Sequence, residues 1–331
     1  SDMEWDINLP WYRGVRSVHV APGGDYGWRT GSGKLAEYML DTLPPMRDMG
    51  RGSPVGVEFY TSEVYPAEYR GAFIEADWSR GRVLVSKPVR CGGTWCVTQE
   101  GKEFIHGEPL NVTDIEIGPD GALWFTTGGR DTEGGLYRVA YKPGVLQRIY
   151  AGSRNSEGML QVVRQPQALS SWGHAALLRR KAEMGDEAWK NGLWKLALDR
   201  TVAPEDRVQA LLILDRTGPR ATAELLRPLA QDAHAPVRAA AVLVASFHSS
   251  PRAKAIVTGG LSDMDPFVRR RALEGMVRMG LNAETHATFA PVGIVYAALS
   301  DRDRSVRYAA RVALERYPRE LWAEMAMKET S

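Results

Sequence analysis

The sequence has few of the residues on which many enzyme classes depend. Two cysteines and six histidines occur among 331 residues. There is no Cys-x-x-Cys-His haem motif, no phosphate-binding glycine loop ending in Lys-Ser/Thr, and no Gly-x-Ser-x-Gly nucleophile turn. No apolar run approaches the roughly 18 residues that a membrane-spanning helix needs. The sequence therefore does not predict a c-type haem, a P-loop nucleotide site, a hydrolase elbow or a transmembrane segment.

Net charge is also low, at +2, but it is unevenly distributed. Residues 1–159 hold 17 Lys and Arg against 21 Asp and Glu, whereas residues 160–331 hold 25 against 19. The basic excess falls on helical sequence, where arginine commonly serves solvated faces and contacts between repeats. We therefore expect no nucleic-acid partner.

The chain begins with Ser1-Asp2 rather than with an initiator Met, and it opens directly into strand-like sequence. We therefore expect a fragment or processed product whose own N-terminus is missing. The lack of a targeting signal consequently says nothing about the compartment.

The first part of the chain alternates apolar and polar residues in short runs separated by Gly-rich turns. Residues 115–140 predict three strands, with a tight turn at Gly118-Pro119-Asp120-Gly121. Residues 18–31 repeat this pattern around Pro22-Gly23-Gly24-Asp25, and residues 55–85 supply an intermediate copy. Such units predict about three blades of a β-propeller, a ring that typically needs at least four. We expect the missing blades to precede Ser1.

The second part follows a helical period. The pattern Asp-x-x-x-x-Val-Arg recurs at Asp232, Asp263 and Asp301, each time before an amphipathic segment. Asp265 before Pro266 predicts a helix N-cap. Helix pairs with this spacing are typical of HEAT-like repeats, and we expect four to five pairs. We expect the repeated Asp to cap a helix and the repeated Arg to tie one repeat to the next.

The predicted fold is therefore a multi-domain β + α chain, with a partial β-propeller followed by an α-solenoid. We assign residues 1–145 to the propeller, 146–166 to a linker and 167–331 to the HEAT-like repeats. Residues 1–141 should be nearly all strand and residues 167–325 nearly all helix.

The two cysteines, Cys91 and Cys96, flank Gly92-Gly93-Thr94-Trp95 and should lie at opposite ends of a hairpin loop. A disulfide and a pair of reduced thiols are both compatible with this spacing. A metal site is less favoured, because only His106 lies near enough in sequence to add a third ligand.

Several segments resemble a known family. Residues 22–28, 52–59 and 113–121 resemble the later blades of glucose/sorbosone dehydrogenase-type propellers. The opening at residues 2–6, Leu9-Pro10-Trp11-Tyr12-Arg13 and the helical continuation resemble the membrane-bound dehydrogenase type of planctomycetes and verrucomicrobia. The resemblance covers nearly the whole chain. It implies a secreted or periplasmic protein with a propeller, HEAT repeats and often a C-terminal cytochrome c.

The resemblance also implies a chemistry. Sugar-oxidising propellers of this type hold pyrroloquinoline quinone and calcium in a central channel, with a His as general base. Here His19, expected on an early strand, is the candidate base. The family's Arg-x-Arg-Asp pattern appears as Asn111-Val112-Thr113-Asp114, which keeps only Asp114. Arg29 and Arg130 are the candidate replacements for the missing arginines.

Asp2, Glu4 and Asp6 alternate at the start of the chain and are candidate calcium ligands. Two functions remain open. The first is a segment of a quinoprotein-like sugar dehydrogenase with a HEAT interaction module, inactive by itself. The alternative is a non-catalytic scaffold that binds a protein partner on the concave HEAT face, or a sugar or polysaccharide.

Overall fold

The computed structural model describes residues 12–29, 33–97, 101–141, 158–281, 284 and 289–329. By their internal contacts the residues divide into two compact units. The first comprises residues 1–20, 25–90 and 95–180, and the second comprises residues 21–24, 91–94 and 181–331.

The first unit is built mainly from strands, which pair with their neighbours in five small sheets. In chain order the strands are β1 Val15–Ser17, β2 Trp28–Arg29, β3 Gly33–Lys34, β4 Arg47–Gly50, β5 Pro54–Tyr60, β6 Ala72–Asp77, β7 Arg82–Ser86, β8 Val89–Cys91, β9 Thr94–Cys96, β10 Lys102–His106, β11 Val112–Ile117, β12 Leu123–Gly129 and β13 Thr132–Val139.

Two antiparallel sheets form the blades of the partial β-propeller. One has the order β10-β7-β6-β5 and the other the order β11-β12-β13. Strands β5 and β11, each at the edge of its sheet, contact one another. Side chains alternate across the pleat, so one face of each sheet contributes to a shared core. That core includes Tyr60, Ile74, Val83, Ile115 and Leu123.

The second unit is a solenoid of helices. With the helices that lead into it, they are α1 Met159–Val163, α2 Ser171–Met184, α3 Asp186–Leu198, α4 Pro204–Thr217, α5 Ala223–Leu229, α6 Ala235–Ala245, α7 Pro251–Gly259, α8 Pro266–Arg278, α9 Val292–Ala297, α10 Arg304–Leu314 and α11 Ala323–Met327.

The helices of the solenoid pack in pairs, namely α3 with α4, α5 with α6, α7 with α8 and α9 with α10. The second helices of the pairs, α4, α6, α8 and α10, contact each other in series and form one row. Helix α6 is buried along almost its whole length, because its alanines let neighbouring helices approach closely. The predicted partial propeller followed by a HEAT-like solenoid is confirmed.

Three details differ from the sequence prediction. Strand β1 ends at Ser17, so Val18-His19-Val20 is irregular rather than extended in a sheet. Helix α1 lies inside the segment predicted as a linker. The first predicted blade consists, in its described residues, of the two-stranded sheets β1-β4 and β2-β3. The turn around Pro22 separates these short strands, which limits how far their pairing extends.

Candidate functional site

The contact between β5 and β11 brings carboxylates together at the edges of the two blades. Gly56 permits the close approach, because a Cβ there would lie 2.6 Å from both Asp114 Oδ1 and the Ile115 amide nitrogen. Glu58 follows two residues later on β5, and Glu116 lies two residues after Asp114 on β11. Glu58 is partly buried, whereas Asp114 and Glu116 are exposed.

Glu58 is the perturbed member of this group. Burial raises its pKa above the ordinary value, and the negative charge of Glu116 raises it further. A backbone hydrogen bond from Phe59 opposes the rise, and Asp114 adds to it. A raised pKa makes the half-buried Glu58 carboxylate a stronger proton acceptor than an ordinary glutamate, which is the direction that a general base needs.

Gln167 forms hydrogen bonds with Thr61 and with the Glu58 carboxylate. Its backbone nitrogen donates to Thr61 Oγ1 at 2.7 Å, and its Oε1 accepts from the Thr61 amide at 2.7 Å. Its Nε2 then reaches Glu58 Oε2 at 3.4 Å. The sequence analysis missed Glu58 and Gln167, because 109 residues separate them and no local pattern joins the two.

Of the four predicted catalytic and quinone-binding residues, His19 and Arg29 lie on early loops and strands. His19 lies after β1, and its carbonyl oxygen accepts a hydrogen bond from the Tyr26 hydroxyl. Arg29 forms a two-bond ion pair with Asp25, at 2.7 Å and 3.0 Å. The Arg29 guanidinium is therefore already engaged by a carboxylate four residues away.

Asp114 and Arg130 belong to the second blade. Asp114 Oδ1 accepts from the Ile115 amide at 2.9 Å. Arg130 lies in the turn between β12 and β13, with a positive φ of 50°, and its guanidinium stacks over the Trp78 ring at 5.3 Å. Arg29 thus contacts Asp25, Asp114 accepts from a neighbouring amide, and Arg130 packs on Trp78. From these separate contacts we derive no catalytic step through that cofactor.

The predicted calcium ligands Asp2, Glu4 and Asp6 lie outside the described residues. Among the residues that are described, no group of three or more His, Cys, Asp or Glu side chains has an arrangement suited to a metal ion. In the same part of the chain, no helix is long and apolar enough to cross a membrane.

Cys91 and Cys96 lie on the adjacent strands β8 and β9, as predicted, and both are disulfide-bonded. Of the two alternatives, the structure therefore has the disulfide. The Gly93 amide donates to Asp303 Oδ2 at 2.8 Å. Gly92 has a φ of +60°, and a Cβ there would lie 2.0 Å from the same carboxylate. Residues 91–94 thus bind the N-terminus of α10.

A repeated ion pair joins the second helices of the solenoid. Arg207 contacts Asp232 at 2.5 Å, Arg238 contacts Asp263 at 2.7 Å, and Arg269 contacts Asp301 at 2.7 Å. In each pair, the Arg belongs to one second helix and the Asp precedes the next. The prediction that Arg ties one repeat to the next is confirmed. We call these three pairs the Asp–Arg ladder.

The prediction that the repeated Asp caps a helix is wrong. The caps of α8 and α10 are Asp265 and Asp303, each two residues after the repeated Asp. Asp263 and Asp301 instead accept hydrogen bonds from the backbone N–H groups of Asp265 and Asp303, both at 2.8 Å. Their carboxylates also accept from the arginine of the preceding repeat. The predicted Asp265 cap before Pro266 is confirmed.

The ladder also shifts the acidity of its carboxyl groups. Burial by itself raises the pKa of Asp263, but the Arg238 side chain and the Asp265 amide both donate to the carboxylate. Together with the charges of Arg238 and Arg269, these bonds lower its pKa below the ordinary value. The pKa values of Asp232 and Asp301 are lowered in the same way.

The comparisons with known proteins agree with the repeat geometry. A family profile described as HEAT repeats matches residues 193–277. This segment covers α4, α6 and most of α8 together with the first two ladder pairs. The helical part of the chain is therefore similar to HEAT repeats, which commonly mediate protein interactions. No curated protein matches the sequence.

Solved structures resemble parts of the chain. A candidate oxidoreductase (glucose dehydrogenase) of Thermus thermophilus is 21% identical, with 39% of this chain and 37% of that protein covered and a TM-score of 0.31. Cex1p is 17% identical, with 55% and 40% covered and a TM-score of 0.36. An engineered protein is 18% identical, with 51% and 81% covered and a TM-score of 0.30. Because all three TM-scores are low, the fold assignment rests on this chain's own strand order and helix contacts. The chain spans 37% of the dehydrogenase's length.

Proposed function

We propose that this chain is the interaction-bearing part of a secreted or periplasmic protein related to glucose and sorbosone dehydrogenases. In this proposal, the row of second helices binds a protein partner, and the two blades form part of a channel wall. The observation that carries the proposal is the Asp–Arg ladder.

The ladder supports binding because it fixes the second helices relative to one another. A surface whose helices are already held in place loses less conformational freedom on association, which favours binding. On α4 the exposed positions Glu205, Gln209 and Arg216 recur at helical spacing, opposite the buried core. Helix α4 therefore offers an exposed stripe at one end of a rigid row.

Two features support the dehydrogenase relationship. The motifs at residues 22–28, 52–59 and 113–121 resemble the later blades of that family. Strand β5, which contacts β11, also carries Glu58, whose raised pKa makes it a stronger proton acceptor than an ordinary glutamate. Quinone and calcium belong to the proposal only for the full-length protein, whose further residues would have to supply the site.

The second candidate is a non-catalytic scaffold that binds a protein or a polysaccharide. It is favoured by the separate partners of Arg29, Asp114 and Arg130, since a channel site needs several groups held in one geometry. The propeller would then have no catalytic role.

Photo-crosslinking tests the binding surface. A photo-reactive residue is placed at Gln209 on the second-helix row, or at the exposed Arg227 on the first helix α5, and the chain is incubated with the secreted proteins of its source. We expect a discrete crosslinked partner from position 209 and none from position 227. Equal crosslinking from both positions would count against the row as the binding surface.

Dye reduction tests catalysis. The purified chain with pyrroloquinoline quinone, calcium and an aldose should give no sugar-dependent reduction of an electron-accepting dye. Cofactor-dependent reduction that is lost in His19→Ala would overturn this expectation and would make His19 the base.

A further inference from the structure

The second-helix row carries a stacked arrangement of charged and aromatic side chains near its C-terminal ends. The ring of Phe247, just after α6, packs with two guanidinium groups, with Arg220 Cζ and Arg278 Cζ each 5.0 Å from its centroid. Phe247 is 39% exposed. We call Arg220, Phe247 and Arg278 the arginine sandwich.

Arg278 has no carboxylate partner among the residues that the structure describes. Its Nη1 donates to Ser246 Oγ at 2.8 Å, and among the described residues no carboxylate lies within ion-pair distance of its guanidinium. Burial lowers its pKa below the ordinary value, Glu274 raises it, and the nearby Arg271 lowers it again. The positive charge of Arg278 is thus partly removed from solvent and only partly offset by the negative charge of Glu274.

Arg220 is better compensated but remains open to solvent. Its Nε lies 2.9 Å from Asp215 Oδ1, and its side chain is 49% exposed. Stacking against a ring occupies the face of a guanidinium and leaves its N–H edge available for a planar acceptor. Both arginines of the sandwich can therefore donate to a carboxylate while they remain on Phe247.

The surroundings add positive charge. Arg216 lies in the last turn of α4, where its Nε donates to the Leu212 carbonyl at 3.1 Å. Arginines at helix C-termini are favoured by the helix dipole, which accounts for Arg216 by itself. The helix dipole does not explain why the guanidinium groups of Arg220 and Arg278 both pack against the Phe247 ring. The positive side chains are Arg216, Arg220, Arg271, Arg278 and the buried Arg270, and the negative ones are Asp215 and Glu274.

We propose that the arginine sandwich is the docking point for an acidic segment of the partner protein, with neighbouring carboxylates each bound by one guanidinium. This inference rests on the proposed function and specifies the chemistry of its partner. Guanidinium–carboxylate pairs are planar and two-bonded, and the exposed Phe247 ring can pack against the methylene groups of glutamate.

The surface favours protein over a polyphosphate. Asp215, which pairs with Arg220, and the buried Glu274, which pairs with Arg270 and Arg271, offset much of the positive charge around Phe247, so a continuous run of phosphates would be held weakly. The surplus of positive charge is small, which suits a short run of carboxylates. A nucleic-acid surface would need a longer basic stripe with several phosphate contacts.

Fluorescence anisotropy tests the proposal with a labelled peptide of alternating Glu and Leu, about ten residues long, and with its Gln-for-Glu counterpart. The variants are Arg220→Ala/Arg278→Ala and, as a charge-matched control on the first-helix row, Arg227→Ala/Arg252→Ala. We expect the wild type to bind the Glu peptide roughly tenfold more tightly than the Gln peptide. The sandwich variant should lose about tenfold in affinity, and the control should stay within about twofold. Circular dichroism melts verify that both variants fold.

Several outcomes would overturn the inference. They are equal binding by the sandwich variant, equal binding of the two peptides, and tighter binding of a short DNA single strand or of an oligogalacturonate. Arg278→Lys supplies a milder variant that keeps the charge but loses the planar edge, and we expect an intermediate affinity.

If crosslinking from Gln209 persists in the sandwich variant, the proposed function stands and this inference fails. If crosslinking is absent from the wild type, the proposed function itself fails.

Discussion

Both units bury arginine–carboxylate pairs, but they distribute them differently. In the strand-rich unit a single cluster joins four strands. Arg47 on β4 contacts Glu75 on β6 and donates to Ser86 on β7, while Ser17 on β1 donates to Glu75. In the solenoid one pair is made three times between successive repeats. Loss of a ladder pair therefore leaves the others intact, whereas loss of one cluster member disturbs all the rest.

Arg47→Ala should have the largest effect, because Glu75 is only 3% exposed. Removing the cation leaves the buried carboxylate without an opposite charge, which costs about 3–5 kcal/mol. Tryptophan fluorescence during urea unfolding measures the change. Burial raises the pKa of Glu75, so its protonated form is the one that the fold favours. The loss should therefore be greater at about pH 8 than at about pH 5, where protonation begins to remove the charge.

The exposed Arg51→Ala is the control for this variant, with an expected change below about 0.5 kcal/mol. If the two variants unfold at the same urea concentration, the cluster does not stabilise the strand-rich unit.

Substitutions in the ladder should form a graded series. The side chains of Arg207 and Asp232 are 1% and 2% exposed, whereas those of Arg269 and Asp301 are 21% and 11% exposed. We expect Asp232→Asn to cost about 3 kcal/mol and Asp301→Asn about 1 kcal/mol, because solvent screens the more open pair. Urea unfolding followed by far-ultraviolet circular dichroism measures both. The reverse order would show that burial does not set the strength of a ladder pair.

The pH dependence of the ladder has the opposite sign to that of Glu75. The folded-state pKa values of Asp232, Asp263 and Asp301 are lowered. Their contribution to stability is present above the unfolded pKa of about 4 and is lost as the pH falls through the folded values. Asp232→Asn should lose part of this acid dependence, which urea unfolding at a series of pH values measures.

A pair of glycine substitutions tests the loop at residues 91–94. Gly71 has a φ of +73° with nothing within 4 Å of an added Cβ, so Gly71→Ala should cost only the backbone term, about 1 kcal/mol. Gly92→Ala adds a collision with Asp303 and should cost about 2 kcal/mol. Hydrogen exchange should also quicken at the Ser305 and Val306 amides, which donate to that carboxylate. If Gly71→Ala and Gly92→Ala have equal effects, residues 91–94 shift to relieve the collision without disturbing α10.

The smallest expected effect is a gain. Glu58→Gln removes a carboxylate whose pKa is raised by burial and by Glu116. At about pH 7 we expect about 0.5 kcal/mol of stabilisation, after allowance for solvent screening. The gain should vanish near pH ~4, where Glu58 is protonated. Glu116→Gln, which relieves the same repulsion at an exposed position, should give less. A loss of stability at neutral pH would show that the Gln167 contact outweighs the repulsion.

The features that sequence analysis predicted are those that repeat or that lie within one turn of chain. The ladder recurs with a spacing near that of the repeat itself, and Asp265 precedes Pro266 directly. The cluster around Glu75 has neither property, since Ser17 and Glu75 are 58 residues apart. Asp114 was a candidate because of the family resemblance. The carboxylate whose pKa is raised is instead Glu58, and it lies near Asp114 only because strands β5 and β11 contact one another. The arginine sandwich likewise depends on three successive repeats.

Two of the ladder arginines, and Arg307 one repeat further on, are also held by their own repeat. Arg238, Arg269 and Arg307 each donate Nη1 to the carbonyl oxygen of the Asp in their own repeat, at 2.9, 2.8 and 2.7 Å. The repeats of Asp232 and Asp263 thus each carry a fixed arginine donor for the next repeat and an aspartate acceptor for the preceding one. Duplication or deletion of a whole repeat would keep both ends matched, so the length of this array can change by recombination without the invention of a new interface.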